Sequence, residues 1–337
     1  MQILRVTPSA PDPAAIRQAA EIIRAGGLVA FPTETVYGLG ANALDEQAVR
    51  RIYEAKGRPG NNPLIAHVPD AEVARGLARA WPPEAETLAR RFWPGPLTLV
   101  LPKRSSIPDL VTAGLPAVAV RVPSHPVALA LLRASQVPIA APSANRFTEL
   151  SPTTAEHVVK SLGDRVDLIL DGGPTSVGIE STVLDLTGPV PRLLRPGMVT
   201  LAELEHAIGS IAPAPAVSGS APRLSPGMHE RHYAPRARLE LVTPADVGRQ
   251  TPTAGQSLTG ALILSDLVWP VQHPMRMPRD PVEYASRLYA ALHALDDLGC
   301  QVILVELPPP EAAWHGVHDR LRRAATPDTP DAERRDR

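Results

Sequence analysis

The sequence predicts an α/β fold in two units, on three observations. Short apolar runs recur along the chain, with amphipathic helical patterns between several of them. Around 211–222 the composition shifts to proline, glycine, serine and alanine, as in a linker. Beyond it, near Arg238, a second and shorter set of apolar runs begins. At 337 residues the chain is long enough for two domains with an ample core.

Asp12-Pro13 opens a helix as cap and first-turn proline, Ile16, Ala19, Ala20 and Ile23 recur at helical spacing, and Gly26-Gly27 closes it. A strand follows over 27–31. After Phe31 the chain turns to hydroxyls, a carboxylate and two glycines (Pro32-Thr33-Glu34-Thr35-Val36-Tyr37-Gly38-Leu39-Gly40), which reads as loop chemistry at a strand end. Asp45 caps a second helix running through Ala55, with Val49, Ile52 and Tyr53 on one face. Further strands are expected over 63–68, 97–101, 117–122, 137–141, 168–170, 182–186 and 192–194, and helices around 71–80, 84–92, 126–134 and 153–162. That alternation favours a mixed sheet over a purely parallel one. Past the linker, buried strands over 239–242, 261–264 and 302–305 and a helix over 283–298 make a small Rossmann-like α/β domain. The expected boundaries are 1–205 for the first domain, 206–237 for the linker, 238–325 for the second domain and 326–337 for a disordered tail of turn formers and charge.

Basic and acidic side chains number 34 and 35, a net charge of −1, so no global field draws the chain to nucleic acid or an anionic membrane. One cysteine, Cys300, excludes an internal disulfide framework and a cysteine-rich zinc site and fits a reducing cytoplasm. The N-terminus lacks a basic segment followed by a long apolar one, and no apolar run approaches the ~18 to 20 residues that span a bilayer. The expectation is a soluble, cytoplasmic protein.

Two runs point to a polyanion. The first is the stretch after Phe31. The second, Lys56-Gly57-Arg58-Pro59-Gly60-Asn61-Asn62, sets an ammonium and a forked guanidinium at a helix exit, then glycine and asparagine that let backbone amides approach a ligand. Lysine, arginine and exposed amides suit phosphates. A third run, Pro138-Ile139-Ala140-Ala141-Pro142-Ser143-Ala144-Asn145, ends an apolar strand in a hydroxyl and a carboxamide. Gly38 to Ala43 fits a G-x-G-x-x-A dinucleotide pattern only out of context, and no P-loop is present, so ATP would bind here without one. Taken alone, Lys56 and Arg58 read first as a solvated helix end, His67 as a structural histidine, Ser181 as a strand hydroxyl and Arg195 as a surface charge. Arg121 follows three alternating apolar residues and needs an anionic partner, which a carboxylate ligand would supply. His229, His232 and Tyr233 cluster, but no spacing of carboxylate and histidine completes a metal site.

In this order the three runs resemble the YrdC-like family, specifically its longer, two-domain threonylcarbamoyl-AMP synthases. Val118-Ala119-Val120-Arg121, Ile179-Glu180-Ser181-Thr182-Val183, Leu194-Arg195-Pro196-Gly197 and Ser225-Pro226-Gly227-Met228-His229-Glu230-Arg231-His232-Tyr233-Ala234-Pro235 extend the likeness, which spans roughly Gln2 to Ala325. The resemblance implies a twisted mixed sheet with flanking helices, and a reaction in which L-threonine, bicarbonate and ATP, with Mg2+, give L-threonylcarbamoyl-AMP and pyrophosphate. A separate transferase would then place the product on tRNA. Carried over, Lys56, Arg58, Ser143 and Asn145 form the family's signature polar group. Thr35, His67, Arg121, Ala141 and Ser181 would hold threonine, and Arg58, Asn62, Ser143, Ser151, Arg195 and Tyr233 would hold ATP, with no protein side chain ligating metal. The segment from Ser225 to Pro235 would act as a lid. Two departures stand out: Ala117 replaces a common hydroxyl, and His229-Glu230 replaces a common Lys-Tyr. The rival implications are a structured-RNA-binding module, disfavoured by the near-zero charge and few aromatics, and a carbamoyltransferase with another acceptor, whose extra acylphosphatase-like and zinc-finger segments are missing.

Overall fold

A computed structural model describes residues 1–213, 232–243, 245 and 258–325. Most of the expected linker and lid, including His229-Glu230, and the tail 326–337 lie outside the described residues.

The larger sheet has eleven strands: β1 (Gln2–Arg5), β2 (Val29–Pro32), β3 (Tyr37–Asn42), β4 (Ile65–His67), β5 (Leu97–Pro102), β6 (Ala117–Arg121), β7 (Ile139–Ala140), β8 (Leu168–Asp171), β9 (Thr182–Asp185), β10 (Arg192–Arg195) and β11 (Ala212–Pro213). They lie in the order β1-β8-β2-β3-β7-β4-β6-β5-β9-β10-β11. Parallel pairs such as β4 with β6 alternate with antiparallel pairs such as β5 with β6 and β9 with β10, so the sheet is mixed. The second sheet, β12 (Arg238–Val242), β13 (Thr259–Ile263), β14 (His273–Arg276) and β15 (Val302–Glu306), is ordered β12-β15-β13-β14 and parallel throughout. The α/β reading holds for both units. No described helix is long and apolar enough to cross a membrane.

Strand periodicity assigns the two faces of the larger sheet. Leu28 and Ala30 join Val49, Ile52 and Leu88 in one core, while Val29 and Phe31, one residue out of phase, join Ile16, Ala19, Ile23 and Leu131 on the other face. The caps behave as the sequence suggests. Asp12 accepts from Ala14 N ahead of the helix Pro13–Arg24, and Asp45 accepts from Gln47 N and Ala48 N ahead of Glu46–Lys56.

The stretch after Phe31 is a correction to the loop reading. Only residues 33–36 turn, with the Thr33 hydroxyl donating to Val36 O at 2.7 Å, and Tyr37–Asn42 returns as a buried strand antiparallel to β2. Its glycines serve packing: a Cβ on Gly40 would fall 2.7 Å from both Phe31 Cε1 and Ile139 Cγ2. Glycine lowers strand propensity, so local pattern hid a strand whose reason is the neighbouring ring. The sequence reading also lacked β1, an exposed edge strand with little apolar pattern, as well as β14 and the helices Leu201–Ile208 and His315–Ala325. Leu201–Ile208 crosses residue 205, and β11 pairs with β10, so the larger sheet reaches Pro213.

Candidate active site

Topology gathers the site at one end of the interior strands of the larger sheet. His67 and Arg121 end the parallel neighbours β4 and β6 and are register partners. The antiparallel turn from β9 to β10 brings Ser181, just before β9, beside Arg195 at the end of β10. Around the resulting cavity stand Thr35, Arg58, His67, Arg121 and Ala141, with Ser143, Ser181, Arg195 and Tyr233 completing the wall. Residues spread over most of the chain thus share one hollow whose charged groups are mainly guanidinium.

Each cation is built in differently. Arg121 is buried, and its Nη1 donates to Thr35 Oγ1 at 2.9 Å. Its Nη2 lies 2.8 Å from Glu34 Oε1, a charge contact without hydrogen-bond alignment. The anionic partner demanded by the sequence is therefore already present in the chain as Glu34. Arg195 donates from Nε to Ser181 O at 3.0 Å and from Nη2 to Ser181 Oγ at 3.1 Å, and Ser181 Oγ shares a hydrogen with Thr98 Oγ1 at 2.8 Å. Arg58 donates to Pro63 O at 3.0 Å and sits over the Phe147 ring, 5.8 Å from its centroid. Burial lowers its pKa to about 10, so it stays protonated at neutral pH. His67 is held down to about 3, first by burial and then by the Arg121 charge, so it is a neutral imidazole in use.

Four expected residues do not line the hollow. Lys56 lies behind it, buried, with Nζ donating to Ser143 O at 2.7 Å and to Asn145 O. Burial, then the Arg58 charge, pulls its pKa well below the ordinary lysine value. Asn145 turns its amide nitrogen to Arg146 O and Glu149 O, both at 2.8 Å. Asn62 is fully buried, its carbonyl accepting from the Tyr53 hydroxyl at 2.8 Å. The Ser151 hydroxyl donates to Glu180 Oε1 at 2.5 Å.

Tyr233 reaches the site from the far side of the linker in a left-handed backbone conformation, φ 59°. Its hydroxyl lies 3.4 Å from Arg195 Nη1, and its ring lies under Arg320, 5.3 Å from the guanidinium carbon. Ala234 N donates to Thr148 O at 3.0 Å, fastening the segment to the first unit, while His232 N donates to Arg323 O in the last helix at 3.3 Å. Sequence reasoning assigned no role to Glu34 or Glu180 and placed His232 only in the lid segment, although all three line or flank the cavity. Glu34 and Glu180 sit inside recognised runs. What singles them out is burial, which a sequence does not display.

Fold and site together define an α/β protein with a cavity at strand ends whose charged lining is mainly guanidinium, and with Tyr233, from just before the second sheet, in its wall. The family model described as "Telomere recombination", which carries the names Sua5, YciO and YrdC, matches residues 21–197, and that of the threonylcarbamoyl-AMP synthase C-terminal domain matches 199–326. The chain belongs to this Sua5/YciO/YrdC family. Among its relatives, the threonylcarbamoyl-AMP synthase of Pyrococcus abyssi is 47% identical, covering 92% of this chain and 94% of the relative. That of Bacillus subtilis is 44% identical over 92% of each. The crystal structure of P. abyssi Sua5 complexed with L-threonine superposes with a TM-score of 0.89 at 44% identity, covering 96% of this chain and 98% of that one.

Proposed function

We propose that this chain is a threonylcarbamoyl-AMP synthase, a nucleotidyltransferase that converts L-threonine, bicarbonate and ATP into L-threonylcarbamoyl-AMP and pyrophosphate. The observation that carries the reading is the convergence of Arg58, Arg121 and Arg195 with neutral His67 on one cavity, in a chain whose two-unit relatives bear that name.

Arg121 suits the amino acid's carboxylate, since its Nη2 has no aligned acceptor, and Glu34 keeps the guanidinium balanced when the ligand is away. His67 Nδ1 is buried and unbonded among the described residues, which fits a neutral contact to substrate. The threonine amine takes up CO2 or bicarbonate as a carbamate, and a carbamate oxygen attacks the α-phosphorus of ATP. The bond to the β-phosphate oxygen breaks and pyrophosphate leaves. Charge grows on the transferring and leaving phosphates, so fixed donors from Arg58, Arg195 and Ser143 stabilise the transition state. No side chain needs to become a covalent nucleophile. Lys56 acts behind them by fixing the backbone of Ser143 and Asn145. Mg2+ supplies charge neutralisation on the ATP phosphates. Asn145 Oδ1 is buried and without a hydrogen-bond partner among the described residues, but Asn145 does not line the cavity, so the ion would be held by the ATP phosphates rather than by a protein side chain. The mixed anhydride product is activated for transfer, which suits a separate enzyme that places the threonylcarbamoyl group on tRNA.

The test is pyrophosphate release measured with L-threonine, L-serine or no amino acid, with and without bicarbonate. Release should require both L-threonine and bicarbonate and leave an AMP-level product. Equal release without threonine would refute the assignment.

A further inference from the structure

We infer that the second unit belongs to the catalytic apparatus through Arg320, a positioning residue that braces the Ser181–Arg195 pair by gripping the neighbour of each. This inference rests on the synthase reading above.

Arg320 lies on the last helix, yet its side chain has no exposed surface. Nε donates to Glu180 Oε2 at 2.6 Å and Nη2 to Glu180 O at 3.0 Å, while Nη1 donates to Pro196 O at 2.8 Å. Glu180 precedes Ser181 and Pro196 follows Arg195, so one guanidinium ties together the two chain segments whose side chains meet in the cavity. Helix Pro281–Asp297 adds a second hold. The Tyr289 hydroxyl donates to Glu180 Oε2 at 3.1 Å, and His293, one turn on, donates from Nε2 to Ser151 O at 3.2 Å. Ser151 in turn donates to Glu180 Oε1. Backbones touch as well: Gly178 sits at φ +77°, and a Cβ there would fall 2.4 Å from Ala285 O on the same helix.

A buried ion pair is a poor way to gain stability, because desolvating both charges offsets most of their attraction, and an apolar pair of the same volume would dock the units as well. What the fork of an arginine adds is direction: besides the Asp319 carboxylate on its own helix, which accepts from Nη1 at 2.8 Å, its donors are aimed at Glu180 Oε2, Glu180 O and Pro196 O at once. The acceptors it reaches on the first unit are those flanking Ser181 and Arg195. The carboxylate of Glu180 is desolvated, which favours its neutral form, but the Arg320 and Arg195 charges outweigh this and hold it ionised.

The experiment compares kcat and KM for ATP in the wild-type chain, Arg320→Lys, Arg320→Gln and Tyr289→Phe, at a temperature well below each melting point. Arg320→Gln should lower kcat/KM for ATP about 30-fold, less than the ~100-fold of a lost direct donor because Arg320 acts only through Ser181 and Arg195. Arg320→Lys should recover only part, because it keeps the charge and loses the fork. The deficit of Arg320→Gln should shrink as pH falls, since Glu180 without its partner becomes easier to protonate. Tyr289→Phe should raise KM for ATP about threefold. A folded Arg320→Gln protein with wild-type kcat and KM, merely melting earlier, overturns the inference. If Arg320→Gln does not fold, wild-type constants in Tyr289→Phe overturn it. A wild-type chain without threonine-dependent pyrophosphate release overturns the synthase reading too, which separates the two failures.

Discussion

The Lys56 side-chain nitrogen donates to the Ser143 carbonyl at 2.7 Å across 87 residues of chain, so a buried lysine holds the backbone of a loop whose Ser143 lines the cavity. The arrangement separates holding from contact. Lys56 shapes the wall, and Ser143, Arg58 and Arg195 present donors to what lies inside it.

Lys56→Met should therefore damage activity by freeing the Ser143–Asn145 loop. We expect threonine-dependent pyrophosphate release to fall about 100-fold, and faster amide exchange at Ala144, whose N–H donates to Tyr37 O at 2.8 Å. Unchanged exchange together with full turnover would count against the brace.

Arg58→Ala removes a forked donor from the cavity and should cost about 100-fold or more in turnover. Arg58→Lys should rescue poorly, since an ammonium cannot donate to Pro63 O and reach a phosphate in the same geometry. Near-normal turnover in Arg58→Ala would return this residue to the role of a buried helix-end charge.

Stability should fall on mild acidification. Burial holds His67 and His293 down to about 3 and His157 to about 4, against an unfolded value near 6.5. Between those limits the unfolded chain binds more protons than the folded one. The stability from burying neutral imidazoles is therefore full above the unfolded value and is lost as pH falls from there toward 3 to 4. For His67 alone the loss at pH of about 5.5 is about 1.4 kcal/mol. His157 and His293 are stacked with centroids 3.8 Å apart and push the same way. Thermal melts from pH 8 to 5 should stay level down to about pH 7 and drop below it, less so in His293→Phe; a profile flat all the way to pH of about 5 would contradict the buried neutral state.

Gly40→Ala should destabilise by about 1 to 3 kcal/mol, the usual range for an overpacked core. The added methyl meets Phe31 and Ile139 at once. Gly57→Ala is the control for space alone, because nothing lies within 4 Å of a Cβ there, although its φ of +61° still strains an alanine. A denaturant melt of Gly40→Ala that matches the parent would show that β2 and β7 yield more readily than their burial suggests.

Much of the first unit was legible because periodicity and caps are local signals. Asp12 and Asp45 announced their helices, and the continuous apolar run from Gly27 to Phe31 gave a strand, which the structure buries on both faces. Tyr37–Asn42 was not legible, since its glycines are explained by a ring seven and nine residues back and by Ile139 far downstream. Nor was the holding role of Lys56, which looks like a solvated helix end until the Ser143–Asn145 loop folds over it.

By itself the sequence determined the elements with strong periodicity and caps and which short runs carry hydroxyls, amides and cations, because those follow from residue type and spacing along a few turns or strands. The tertiary structure alone decided what each charged group faces. Glu34 became the partner of Arg121, and Glu180 became the meeting point of Ser151, Tyr289 and Arg320. The physical reason is that the charge state and orientation of a buried ionisable group depend on desolvation and on neighbours supplied by distant segments, and both come into being only when the strand ends and the last helix close on one another.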